Sequence, residues 1–165
     1  MGKAERIEKK TGIATFAAGC FWSKEYFLAR QPGVRSTCVG FTGGHLPEPT
    51  YQQVCTKTTG HAEAVEVVFD REETSFEQLA RYFFNMHDPE VDRSDRGGQY
   101  RSAIFYHDAG QKEVAEQLLS DLRRRGYQPK TNLEPAGIFW PADARHQKYC
   151  AARGMIPQDR FIERI

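Results

Sequence analysis

The chain predicts an α/β fold in which helices pack on one β-sheet, on three observations. Short runs alternate apolar and polar residues at period two, other runs carry apolar residues at helical spacing behind capping residues, and the two kinds take turns along the sequence. At 165 residues the chain is sized for one domain with a sizeable core, and no repeat, low-complexity stretch or linker divides it. One catalytic domain over 1–165 is expected, with its core at about 11–150 and extensions at 1–10 and 154–165.

Ile13, Ala14, Phe16 and Ala17 read as a buried strand, and Gly19 permits a tight turn into a helix running to Arg30. Pro32-Gly33 stops that helix, and Val34 to Phe41 supplies β-branched and aromatic residues for a second strand. Gly43-Gly44, Pro47 and Pro49 mark an irregular loop, after which Thr50 can cap a short helical turn carrying Tyr51 and Val54. His61 to Phe69 is the most informative strand: Glu63, Val65, Val67 and Phe69 share one face, and Ala64, Glu66 and Val68 share the other. Ser75 and Gln78 form a capping-box pattern ahead of a core helix with Phe76, Leu79, Ala80, Phe83 and Phe84 on one stripe. His87-Asp88-Pro89 ends it, with His87 placed to cap a backbone carbonyl. The polar segment 92–100 has no periodicity and can fold over a site; it holds Asp95 and Tyr100. Ser102 to Tyr106 is the next strand, and Asp108 caps a helix with Val114, Ala115, Leu118, Leu119 and Leu122 that ends at Gly126. A last strand over 133–140, a short helix over 142–153 carrying Cys150, and a surface tail complete the order.

Composition restricts the partners. A formal net charge of +1 gives no bulk attraction to nucleic acid or membrane, so a partner must be met at a site. Cysteines 20, 38, 55 and 150 make no Cys-x-x-Cys pair and are too sparse for a secreted disulfide scaffold, which favours a reducing, cytoplasmic setting. The charged residues 1–10 lack the apolar core of a signal peptide, and no stretch is long enough to span a bilayer. Gly2 does not make a myristoylation signal, because Arg6 stands where Ser or Thr is required.

Chemistry concentrates at two positions. Cys20 falls at a helix N-terminus, where unpaired NH groups and the macrodipole favour a thiolate, the reactive form. Phe21 and Trp22 put aromatic surface beside the sulfur. Glu63 begins an apolar row, so desolvation should raise its pKa and let it act as a general acid. A thiolate and a neutral carboxylic acid are then available together, with environments that push their roles apart.

Taken in order, Gly19-Cys20-Phe21-Trp22, Val39-Gly40-Phe41-Thr42-Gly43-Gly44, Pro49-Thr50-Tyr51, Gly60-His61-Ala62-Glu63-Ala64-Val65, His87-Asp88-Pro89 and Gln99-Tyr100-Arg101-Ser102 resemble the peptide methionine sulfoxide reductase A family over about residues 11–150. The resemblance implies a two-layer α/β plait with a mixed sheet and a ferredoxin-like core. It implies that Cys20 attacks the sulfoxide sulfur, that Glu63 protonates the oxygen, and that Tyr51 and Tyr100 hydrogen-bond that oxygen. Phe21 and Trp22 would hold the methyl group, and Asp95 would bind the substrate near its backbone. The S epimer is the implied substrate, free or in a protein, and Cys20 would be left as a sulfenic acid. No cofactor or metal is implied; thioredoxin or another thiol would be the reductant, and the protein would act as a monomer. Ser23 stands where a small residue such as Gly is common in the family. Residues 154–165 contain no cysteine, whereas many members carry a recycling cysteine in a C-terminal tail. Cys150, after His146-Gln147-Lys148-Tyr149, is the first candidate for the resolving thiol; Cys55 and Cys38 are expected to be structural.

Two other readings compete. His61-Ala62-Glu63 matches half of a zinc deaminase signature, but the Pro-Cys-x-x-Cys half is missing. A non-catalytic module that binds oxidised or apolar side chains would use the same aromatic residues without needing Cys20.

Overall fold

The computed structural model describes residues 2–94 and 96–165, without the side chains of 7–9 and 96. Helix α1 (Lys3–Lys10) leads into β1 (Thr11–Ala18), α2 (Phe21–Ala29) and β2 (Val34–Thr42). A short α3 (Tyr51–Cys55) precedes β3 (Ala62–Asp70), α4 (Phe76–Met86) and β4 (Ser102–Tyr106). Then come α5 (Ala109–Arg124), β5 (Asn132–Pro135), β6 (Trp140–Pro141) and α6 (Tyr149–Ala152).

The sheet order is β5-β4-β1-β3-β2-β6. All neighbours are antiparallel except β4 and β5, so the sheet is mixed. Its centre, β4-β1-β3-β2 joined as β1-α2-β2-β3-α4-β4, is the split βαβ arrangement of ferredoxin-like folds. The expected fold class is therefore the observed one.

Alternation along β3 distributes its residues between two layers. Val65, Val67 and Phe69 join Phe16, Leu28, Phe83, Leu118 and others in the main core under the helices. Ala62 and Ala64 join Ala17, Ala103 and Phe105 on the opposite face, where Ala136 and Phe139 cover them. Small residues there let the 136–139 segment lie close against the sheet.

Several elements depart from expectation. Residues 3–10 form a helix rather than an unstructured extension, and Ile13 is exposed because its face of β1 lies beyond the cover. Ser75 accepts from Gln78 N as predicted, but the Gln78 side chain accepts from Thr74 Oγ1, so the box is half made. The run 133–140 is two strands at opposite edges of the sheet: β5 pairs in parallel with β4, and β6 pairs with β2. Residues 142–153 form a 3-10 turn at Ala144–His146 and the four-residue α6 instead of one helix. The tail is not wholly superficial. Arg164 and Ile165 are buried, and Asn85 Oδ1 accepts from both of their backbone NH groups. No helix among the described residues is long and apolar enough to cross a membrane.

Candidate active site

β1 delivers the chain to Gly19, whose φ of 92° is a turn that L side chains resist. Cys20 follows as the N-cap of α2, with no side-chain cap bond of its own. One peptide further on, Phe21 N donates to Glu63 Oε1 at 3.2 Å, so a carboxylate from the start of β3 reaches the same helix terminus. Gln99 holds the other oxygen, its Nε2 donating to Glu63 Oε2 at 2.7 Å. Glu63 is 1% exposed. Burial raises its pKa and the bonds from Gln99 and Phe21 pull it down, with a net upward shift as anticipated.

Cys20 behaves differently from the expectation of a depressed thiol. Burial is the largest influence and raises its pKa, the Glu63 charge raises it further, and the Trp22 and Ser23 NH groups with Lys24 only partly oppose this. The net direction is upward because the helix terminus that was expected to favour an anion also carries a carboxylate and sits out of water. The unliganded site therefore holds protons on both groups more tightly than water would.

Two tyrosines close the site. The Thr50 capping box starts α3 and fixes Tyr51 at its first position. Burial first, and then the neighbouring Cys55 and Glu63, push the Tyr51 pKa up. Burial and then Glu63, Cys55 and Cys20 push Tyr100 up to about 12. Both phenols stay protonated, as donors must.

The aromatic wall is larger than the sequence suggested. Tyr51 lies 6.3 Å from Phe21 and 6.2 Å from Trp22, ring to ring. Trp22 also stacks on Tyr149 at 3.8 Å. His146 stands 4.3 Å from Tyr51 and accepts from Trp22 Nε1 at its Nδ1, 3.1 Å away. Sequence reasoning missed the site positions of His146, Tyr149, Gln99 and Cys55. Gln99, His146 and Tyr149 stood inside quoted motifs without a role assigned, because each reaches the site through the tertiary fold. Gln99 Nε2 is also 3.5 Å from Cys55 Sγ, so the exposed Cys55 belongs to the hydrogen-bonded wall of this site rather than to a remote structural position.

The structure does not bring Cys150 to Cys20. Cys150 is 4% exposed, its Sγ lies 3.5 Å from the Trp22 carbonyl, and it lines a separate small cavity with Glu25 and Lys148. Cys150 thus packs beside the Trp22 backbone, two residues along the chain from Cys20. All four cysteines are free. Asp95 lies outside the described residues.

His87 is the carbonyl cap expected of it, Nδ1 bonding Phe83 O at 2.7 Å and Nε2 meeting Ser102 Oγ at 2.8 Å. His61 uses both nitrogens on backbone, accepting from Gly44 N and bonding Leu46 O, which leaves neither for a metal. Among the described residues no group of three His, Cys, Asp or Glu side chains is placed to hold a metal ion.

A cysteine at a helix terminus, a buried carboxyl bonded to the next amide and an aromatic cup on a split βαβ sheet mark the class of thiol-dependent enzymes. The family is settled by comparison. Residues 12–161 match the family model for peptide methionine sulfoxide reductase, and the chain belongs to that family. It is 44% identical over 160 residues to peptide methionine sulfoxide reductase MsrA of Geobacter sulfurreducens, covering 93% of this chain and 96% of that one. Among solved structures, methionine sulfoxide reductase A of Corynebacterium diphtheriae superposes with a TM-score of 0.77 at 33% identity, over 90% of this chain and 78% of that one. Reduced Mxr1 of Saccharomyces cerevisiae gives a TM-score of 0.83 at 27% identity, over 95% and 94%.

Proposed function

We propose that this protein reduces methionine-S-sulfoxide, free or within a polypeptide, through Cys20, with Glu63 as the proton donor. The observation that carries this reading is the bond from Phe21 N to Glu63 Oε1, which ties the acid to the amide next to the nucleophile. In the cup formed by Phe21, Trp22 and Tyr51, the sulfoxide methyl finds apolar surface while its oxygen is directed at Glu63, Tyr51 and Tyr100. Asp95 holds the substrate near its backbone.

Burial raises the Glu63 pKa and so favours the protonated carboxyl that a general acid needs. A sulfoxide oxygen becomes a leaving group only when protonated, and its protonation makes the sulfur electrophilic toward Cys20. Once Glu63 is neutral, one of the charges that raised the Cys20 pKa is gone. Cys20 Sγ bonds to the sulfoxide sulfur, the sulfur–oxygen bond breaks and the protonated oxygen leaves as water; water then attacks Cys20 Sγ, the sulfur–sulfur bond breaks, methionine leaves with that electron pair, and Cys20 is left as a sulfenic acid. A first thiol condenses with it, releasing water and forming a disulfide, and a second thiol restores Cys20. Thioredoxin or another cytoplasmic thiol supplies these electrons to a monomeric, single-domain enzyme.

The test is one turnover of the prereduced protein without added reductant. One methionine per protein is expected from the S sulfoxide, none from Cys20→Ser, and a rate about 10² to 10⁴ lower from Glu63→Gln. Full activity in Cys20→Ser refutes the mechanism.

A further inference from the structure

The cup accounts for one side of Cys20 only. A second cavity, about 630 Å³, also opens on Cys20, and apart from Tyr100 it shares none of the proposed catalytic or methyl-binding residues. Its size is that of a site for a small organic ligand of up to about tripeptide size. Its walls mix apolar residues such as Val91, Phe161 and Ile162 with charged ones, and Lys24, Arg93 and Arg160 arrive from three separate segments.

Lys24 lies one helical turn beyond Cys20, and each group's titration responds to the charge of the other. An Arg93 guanidinium nitrogen packs on Gly19, 2.9 Å from where a β-carbon would stand. Burial is the largest influence on Lys24 and lowers its pKa, Cys20 opposes this, and the charges of Arg93 and Arg160 lower it further. None of these three cations is in an ion pair among the described residues. Asp88 and Asp159 line the same wall, each accepting one backbone bond, from Glu90 N and Phe161 N, and are outnumbered by the four cations Lys24, Arg93, Arg160 and Arg164. The remaining cation, Arg164, is spent on the carbonyls of Phe84, Asn85 and His87. His87 is neutral, its pKa lowered to about 4 by burial.

We infer that this cavity admits a small anionic thiol, bearing a carboxylate or sulfonate, that reduces the Cys20 sulfenic acid directly. The inference rests on the reading that Cys20 becomes a sulfenic acid. The sulfur of the entering thiol bonds to Cys20 Sγ, the sulfur–oxygen bond breaks, and the oxygen leaves as water with the thiol proton. A second equivalent attacks the outer sulfur, returning the Cys20 thiol and releasing the reductant as its disulfide. Displacement at sulfur is in line, and a cavity outside the oxygen-binding cup gives the entering sulfur its own approach. The cations guide the anion in and hold it.

The experiment uses the full chain, oxidised by one equivalent of methionine sulfoxide, and follows the loss of sulfenic acid with 2-mercaptoethanesulfonate, 2-mercaptoethanol and cysteamine. Rates are compared at equal thiolate concentration and normalised to each thiol's reaction with a free disulfide. The expected order is sulfonate, alcohol, amine, with steps of about tenfold, at the low end of what charged clefts provide. The steps shrink as salt is raised and collapse in Arg93→Gln/Arg160→Gln. Rates indifferent to charge, or a preference that survives the double variant, overturn the inference. So does a charge preference confined to the methionine-forming turnover, measured with acidic and neutral sulfoxide peptides, because the cations then serve the substrate. The oxidising turnover separates the two ideas. One methionine per protein with no charge order in recycling removes only the thiol site, whereas no methionine at all removes the reading beneath it.

Discussion

Gln99 offers the sharpest perturbation of the proposed acid. Its Nε2 donates to Glu63 Oε2 at 2.7 Å in a place only 3% exposed, and this bond favours the ionised form. A hydrogen bond to a charged group contributes about 1.5–3 kcal/mol, and a pKa unit corresponds to about 1.4 kcal/mol. Gln99→Leu should therefore raise the Glu63 pKa further, by the amount of that bond. The active form carries one proton shared between Glu63 and Cys20, so the rate rises as the first proton leaves and falls as the second leaves. Both groups lie above their ordinary values of 4.5 and 9.0, which places the whole bell higher than for the free side chains. In Gln99→Leu the ascending limb should move up by the amount above. Leucine fills the space of the amide, so thermal unfolding serves as a control for packing. The assay is the single-turnover rate of methionine formation against pH. A limb that stays in place or moves down in a folded variant refutes the assignment of Gln99 as the group that tunes the acid.

Other expectations follow from the same coordinates. His87 is neutral in the fold at about pKa 4 against 6.5 for the free side chain; the unfolded chain takes up the proton first. Stability is therefore complete above about pH 6.5 and declines toward pH 4 by about 3 kcal/mol, an effect that denaturant titration should find absent in a folded His87→Gln. His146→Leu removes the acceptor for Trp22 Nε1 and should raise KM for the sulfoxide severalfold with a smaller change in kcat, because the indole loses its orientation; an unchanged KM would deny His146 that positioning role. A β-carbon on Gly40 would meet the Trp140 carbonyl at 2.4 Å, so Gly40→Ala should destabilise the protein by about 1–3 kcal/mol, read by thermal unfolding.

The central strands were legible because their signals are local. Val65, Val67 and Phe69 alternate, Phe76, Leu79, Ala80 and Phe83 recur at helical spacing, and Thr50 announces α3 by its cap. The edges were not legible: 133–140 has strand-forming residues throughout, and nothing local says that Pro135 ends one strand while Trp140 begins another across the sheet. At the site, Cys20 and Glu63 could be singled out from a turn and an alternation. Their electrostatics could not, because the helix terminus acts on Cys20 together with a carboxylate supplied by a strand 43 residues further along. His146 and Gln99 stood in the motifs without a role for the same reason, and the packing of Cys150 against the Trp22 carbonyl is likewise a property of the tertiary fold.

The division of that last run has a consequence for the molecule among its neighbours. An open sheet exposes two rows of backbone groups to which another chain can add. Here the outermost strands are only four and two residues long, and each ends in a proline, Pro135 on one side and Pro141 on the other. Proline brings no amide hydrogen, so a foreign strand finds too few contacts to begin a ladder. The 136–139 segment thus leads from a closed flank at β4 to a partly closed one, where β6 covers Gly40 and Phe41 of β2 and the Gln147 amide takes the next backbone groups at Val39.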